Sequence, residues 1–226
     1  MYRASAQAGA RFVFTRAAIQ DYVLFNRCKL SNFVLMTDKI INIAVFASGN
    51  GSNAENIVRK LNVPGSRVRV SLVVSSKPDA GVVSRARSLG VPVEVIAKAM
   101  FDDGAATMAV LEKYNTDAIV LAGFLLMVPS YLVRRYRIVN IHPSLLPKFG
   151  GKGMYGGNVH RAVVEAGESE TGITIHYVTE EYDKGEIIFQ ASAAVSPNDT
   201  PLSVEQKVHE LEYRYFPEVI ARIFAG

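Results

Sequence analysis

The sequence has a single cysteine, Cys28. One thiol cannot close a disulfide within the chain, which fits a reducing cytoplasm. No stretch reaches the roughly 18 unbroken apolar residues of a membrane span, so no membrane partner is expected. Metal-binding patterns are also missing. The four histidines, His142, His160, His176 and His209, form no H-x-H or H-E-x-x-H cluster, and the one cysteine lies near the N-terminus. A metal site is therefore not expected. No G-x-S-x-G nucleophile elbow occurs, which leaves a hydrolase of that type without support. There is no internal repeat and no low-complexity linker.

Most of the chain also lacks a net charge. Residues 1–35 carry Arg3, Arg11, Arg16, Arg27 and Lys29 against Asp21 alone, and this accounts for the whole formal charge of +4. Residues 36–226 keep 20 of the 25 basic and 20 of the 21 acidic residues. A neutral body lacks the basic concentration that phosphate neutralisation needs, so no nucleic-acid partner is expected. The leader, residues 1–35, has two readings. Its Arg, Ala and Ser content and near absence of acid suit a mitochondrial-type targeting segment. The second methionine, Met36, suits an upstream extension of a chain whose working part starts there, and this is the reading adopted. Residues 36–226 are expected to form one domain.

Within those 191 residues, apolar runs alternate with helical patterns. Residues 40–47 (IINIAVFA) are apolar but for Asn42 and rich in branched side chains, as in a buried parallel strand. Further strands are predicted over 68–74, 91–96, 118–122 and 137–141. Helices are predicted over 53–61, 80–89 and 102–114, with Asp102 as N-cap, and a helical turn over 129–136. Such alternation implies an α/β fold, a mostly parallel sheet with helices on both faces. Residues 143–158 read as a Gly/Pro-rich loop. Residues 172–178 and 186–195 read as an antiparallel hairpin around a turn at Asp183–Gly185. Residues 202–224 form a long amphipathic helix, with Thr200 as N-cap and Pro201 at its first position.

Three segments carry chemistry. The loop Ser48–Asn53 joins the first strand to the first helix. Small residues there let a ligand approach the backbone, and a helix N-terminus welcomes an anion. The same residues would also serve a plain tight turn. Gly49, Gly51 and Ala54 fit a dinucleotide fingerprint, but the second strand ends in Ser75, Ser76 and Lys77 with no acid for a ribose. That disfavours NAD and leaves an NADP-binding module as the alternative class. At the end of the fifth strand, Asn140 and His142 lie two residues apart and project from one face. The amide can hold a developing oxyanion and the imidazole can exchange a proton near neutral pH. Asp183 sits at the hairpin turn, where Asp and Gly are ordinary residues. A carboxylate near His142 would raise the imidazole pKa.

Together, SGNGSN at residues 48–53, LAGF at 121–124, NIHPSLLP at 140–147 and the D-x-G turn at 183–185 resemble the phosphoribosylglycinamide formyltransferases. These are folate-dependent formyltransferases, and the resemblance covers roughly residues 40–221. It implies a Rossmann-like sheet and transfer of a formyl group from 10-formyltetrahydrofolate to the amine of glycinamide ribonucleotide, without a metal. It places Asn140, His142 and Asp183 on the family's catalytic positions, with Asp183 keeping His142 protonated. Gly51, Ser52 and Asn53 would hold the substrate phosphate and Glu212 would meet the rest of that substrate. Leu125, Leu126, Met127 and Val128, with Asn140, Thr179, Glu180, Glu181, Tyr182 and Asp183, would bind the folate. Gly104 and Leu126 stand where some members carry arginine. A cytoplasmic monomer or homodimer is expected.

Overall fold

The computed structural model describes residues 39–225, so the leader 1–35 lies outside the described residues. One seven-stranded sheet organises the chain, with strand order β3-β2-β1-β4-β5-β6-β7. The strands are β1 (Ile41–Ala47), β2 (Val68–Ser75), β3 (Val93–Val95), β4 (Ala118–Leu121), β5 (Arg137–His142), β6 (Glu170–Tyr177) and β7 (Ile187–Ala194). Pairings from β3 through β5 are parallel, whereas β5–β6 and β6–β7 are antiparallel. The helices are α1 (Ser52–Leu61), α2 (Gly81–Ser88), α3 (Lys98–Asp102), α4 (Gly104–Lys113), α5 (Ser130–Arg135), α6 (Gly157–Glu165) and α7 (Pro201–Ala225). None of the described helices is long and apolar enough to cross a membrane.

β1 is apolar and buried from Ile43 to Ala47 because both of its faces are covered. Ile43, Val45 and Ala47 join one buried cluster with α1, α2, α6 and α7. Ala44 and Phe46 join a second cluster with α3, α4 and α5. Phe46, Phe101 and Phe124 meet edge-on there, with ring centroids 5.3–6.2 Å apart, the arrangement that ring quadrupoles favour. β1 lies between β2 and β4, so successive crossovers leave it in opposite directions. That switch point opens a crevice at the carboxyl ends of the strands.

Two segments differ from the sequence reading. The helix expected over 102–114 is α4 alone, which starts after Asp103, whose backbone is extended (ψ 97°), and a separate short helix, α3, precedes it. Asp103, rather than Asp102, caps α4 by accepting the Ala105 N–H at 3.1 Å. Residues 157–165, expected partly as loop, form α6. Gly156 and Gly157 hide its start, while Val159 and Val163, one turn apart, are fully buried. The cap of α7 follows expectation. Thr200 Oγ1 accepts the Ser203 N–H at 3.2 Å, and Ser203 Oγ accepts the Thr200 N–H at 2.9 Å, a reciprocal box that satisfies two orphan donors.

Candidate active site

The strand ends are tied together by short polar contacts. The Ser48 N–H donates to Gly123 O at 3.0 Å. Ser48 Oγ accepts the Leu125 N–H at 3.1 Å and the Ser76 hydroxyl at 2.8 Å. The loops after β1, β2 and β4 are therefore joined into one rim. Gly51 caps α1 with φ +81°, and a Cβ added there would run into Val82 of α2. Only glycine meets both conditions. No side chain caps α1, which leaves the N–H groups at its start for an anion. Asn53 Nδ2 donates to Glu212 Oε2 at 2.7 Å, joining this loop to α7. Glu212 is buried, and burial pushes its carboxyl up from the ordinary value against the Asn53 contact and the nearby His209.

The centre of the crevice lies at β5 and β6. Antiparallel register sets Asn140 opposite His176 and His142 opposite Thr174, and directly opposed residues share a face. Thr174 is fully buried and holds the segment after His142. Its Oγ1 donates to Ser144 O at 2.7 Å and accepts the Leu146 N–H at 2.9 Å. The Leu146–Pro147 bond is cis. That path returns the chain over His142, whose Nε2–H donates to Phe149 O at 2.8 Å. The other ring nitrogen, Nδ1, stands 3.5 Å from Asp183 Oδ2. The same carboxylate accepts the Gly151 N–H at 2.8 Å and has its Oδ1 3.5 Å from His176 Nε2. Asn140 Nδ2 lies 3.1 Å from His176 Nε2. One amide, two imidazoles and one carboxylate thus form a single connected group.

Asn140, His142 and Asp183, read separately from the sequence, are brought together. Asp183 reaches in from the loop between β6 and β7 in a left-handed conformation, φ +53°, which Asp tolerates better than most residues. Asp183 does raise the His142 pKa, as expected, but the expectation that it keeps the ring protonated needs correction. Burial of the ring pushes it below the ordinary histidine value, outweighing the raising effects of Asp183 and the Phe149 carbonyl, and His176 adds to the lowering. His142 therefore rests neutral. For Asp183, burial acts upward, but contacts with His176 and the Gly151 N–H, with the fields of both imidazoles, bring it below the ordinary carboxylate value. It stays ionised.

The remaining predicted residues divide by exposure. Leu125 and Met127 are nearly half exposed at the rim, whereas Leu126 and Val128 pack into the second cluster. Thr179, Glu180, Glu181 and Tyr182 line the approach to Asp183, and all four are exposed. Glu180 pairs with Arg134 at 3.1 Å, and the Glu181 N–H donates to Thr179 Oγ1 at 3.3 Å. His176 is not among the residues expected from sequence. Its signal is present all the same: Thr174 and His176 alternate with the apolar Ile173 and Ile175 on an otherwise buried strand.

The fold and the site define an α/β protein equipped for chemistry at a carbonyl carbon, with amide and imidazole donors beside a fixed carboxylate. The chain belongs to the formyl transferase family, whose model matches residues 41–220. It is 44% identical over 188 residues to the chloroplastic phosphoribosylglycinamide formyltransferase of Arabidopsis thaliana, covering 80% of this chain and 64% of that one. It is 37% identical over 186 residues to phosphoribosylglycinamide formyltransferase of Bacillus subtilis (strain 168), covering 80% of this chain and 93% of that one. The crystal structure of phosphoribosylglycinamide formyltransferase from Streptococcus pneumoniae TIGR4 aligns with a TM-score of 0.72 at 37% identity, covering 81% of this chain and 99% of that one. The chain thus spans just under two thirds of the Arabidopsis relative's length and nearly all of the bacterial ones.

Proposed function

We propose that this chain transfers a formyl group from 10-formyltetrahydrofolate to the primary amine of glycinamide ribonucleotide, a step of de novo purine synthesis. The observation that carries this reading is the contact of Asp183 with His142 at 3.5 Å beside Asn140, within a formyl transferase domain. The free N–H groups of α1 at Gly51, Ser52 and Asn53 suit the substrate phosphate. Glu212, held by Asn53, suits the polar body of the same substrate. The exposed Leu125 and Met127 give a flat ring an apolar platform, Leu126 and Val128 back them, and the 179–183 segment offers polar groups along its edge. Every step below is carried by protein side chains and water.

Asn140, His142 and Asp183 are its catalytic residues. The amine nitrogen attacks the formyl carbon, forming a C–N bond and a tetrahedral oxyanion. Asn140 donates to that oxygen, and so does the His142 N–H now given to Phe149 O. Preorganised donors of this kind supply much of the rate in acyl transfer. The oxyanion adds its negative charge to that of Asp183, and together they lift the His142 pKa. The neutral imidazole can then take the proton lost by the amine, with Asp183 and a water as relay. His142 returns a proton to the leaving folate nitrogen as its bond to the formyl carbon breaks. Formylated nucleotide and tetrahydrofolate result, and charge and protons balance. We place the enzyme in the cytoplasm, as a monomer or homodimer, with residues 36–226 as its single domain.

The test mixes 10-formyltetrahydrofolate with glycinamide ribonucleotide and follows folate absorbance. Turnover by the wild type and its loss in His142→Ala are expected. Absence of turnover by folded protein, or full activity in His142→Ala, would overturn the reading.

A further inference from the structure

We propose that His176 is a positioning residue for the formyl transfer, fixing the Asn140 amide so that its nitrogen, not its oxygen, serves as the donor side. The inference rests on the reaction proposed above and extends it to a residue that does not itself contact the reacting atoms.

The chain of hydrogens runs along β6. His176 is almost fully buried, so its ring nitrogens depend on protein partners. Its Nδ1 lies 2.8 Å from Tyr177 O. A carbonyl can only accept, so Nδ1 carries the proton and Nε2 of the neutral ring presents a lone pair. Asn140 lies across from it in the strand register, with its amide 3.1 Å from Nε2. A lone pair there selects the amide nitrogen, because the amide oxygen would meet a second acceptor. One Asn140 hydrogen is then spent on His176, and no other side-chain bond of Asn140 is formed among the described residues. The second hydrogen remains for a ligand oxygen.

An unanchored amide would lose that bias. Asparagine can turn over by rotation about its last bond, and the turned form offers an oxygen to an oxyanion. The backbone carbonyl of Tyr177 thus acts on Asn140 through the tautomer of His176. Such outer partners of a working ligand commonly matter by one to two orders of magnitude.

The experiment compares His176→Phe, His176→Gln, Asn140→Ala and the double variant Asn140→Ala/His176→Phe, with melting temperature as the check on folding. Phenylalanine fills the space without an acceptor, and glutamine restores an acceptor near the place of Nε2. We expect His176→Phe to lower kcat roughly 10²-fold, the scale of losing one oxyanion donor, with KM for both substrates little changed. His176→Gln should recover most of that loss. In the Asn140→Ala background, His176→Phe should cost nothing more, because the group it positions is gone. Full kcat in a folded His176→Phe would overturn the inference. So would a loss that multiplies with that of Asn140→Ala, or a folded His176→Gln no better than His176→Phe. These failures leave the formyl transfer standing, because wild-type turnover and the Asn140→Ala loss are read in the same assay. No wild-type turnover would remove both.

Discussion

Replacing Asp183 by asparagine keeps the shape of the site and removes one charge. The amide oxygen of the replacement can still accept the Gly151 N–H, now made to Asp183 Oδ2 at 2.8 Å. What disappears is the field at His142 Nδ1, 3.5 Å away. At an effective dielectric near 20, a full charge at that distance is worth about 5 kcal/mol to an imidazolium. Part of this is offset by the burial of both groups, so about 3 kcal/mol is a reasonable loss at the transition state, or roughly a hundredfold in kcat. The sign of the pH effect follows from the same charge. Burial already holds His142 below its ordinary value, and Asp183 is the largest influence raising it. Asp183→Asn must therefore lower the His142 pKa further. Two measurements check this: steady-state kcat against pH, and direct titration of the His142 ring by nitrogen-detected NMR. The acidic limb of kcat, where protonation removes the working base, should move to lower pH, and the ring should titrate lower than in the wild type. A His142 titration that rises, or a kcat within a factor of about three of the wild type, would refute the electrostatic role of Asp183.

Two further substitutions probe the substrate loop. Glu212→Gln keeps an oxygen for the Asn53 amide but removes a carboxyl whose pKa burial has raised. A raised carboxyl contributes stability below its unfolded value of about 4.5 and loses it as pH rises through the folded value. The glutamine variant should escape that loss and be at least as stable as wild type in urea melts at neutral pH. Its KM for glycinamide ribonucleotide should rise roughly tenfold or more, the scale of one charge-assisted hydrogen bond. Lower stability with unchanged KM would reverse the assignment. Gly51→Ala meets both the positive φ and the Val82 contact. It should cost roughly 2–5 kcal/mol in a denaturant titration and weaken phosphate-dependent substrate binding.

The sheet is legible in the sequence because burial on both faces writes itself into composition. Residues 40–47 and 118–122 read as strands because their inner stretches, Ile43–Ala47 and Ala118–Leu121, are buried whichever way a side chain points. The break at Asp103 is not legible, because Asp102 and Asp103 are chemically equal as caps and only backbone geometry selects one. α6 escapes because its first residue and the one before it are glycines and its two-turn apolar face is short. Asn140 and His142 pair from strand periodicity alone, since both lie on β5 and the distance between them is local. Asp183 does not, because its approach depends on the β6–β7 connection folding back across β5. Only the family resemblance supplies that long-range contact.

His142 shows why proximity does not settle protonation. From sequence the carboxylate is the one visible neighbour, and on its own it raises the imidazole. The structure adds the cost of leaving water, and that cost is the larger influence. The reversal sharpens the chemistry. A permanently charged imidazole could stabilise an oxyanion but could not accept the amine's proton. A neutral imidazole beside a fixed carboxylate can do both in turn, because the oxyanion itself tips the balance. Asp183 serves this only if it remains ionised in a buried place, and the Gly151 N–H donated to its Oδ2 helps hold it so. The glycine-rich loop after β5 therefore acts on one atom pair, the His142–Asp183 contact, through the Phe149 carbonyl and the Gly151 N–H. That pair, rather than either residue alone, is what the fold positions.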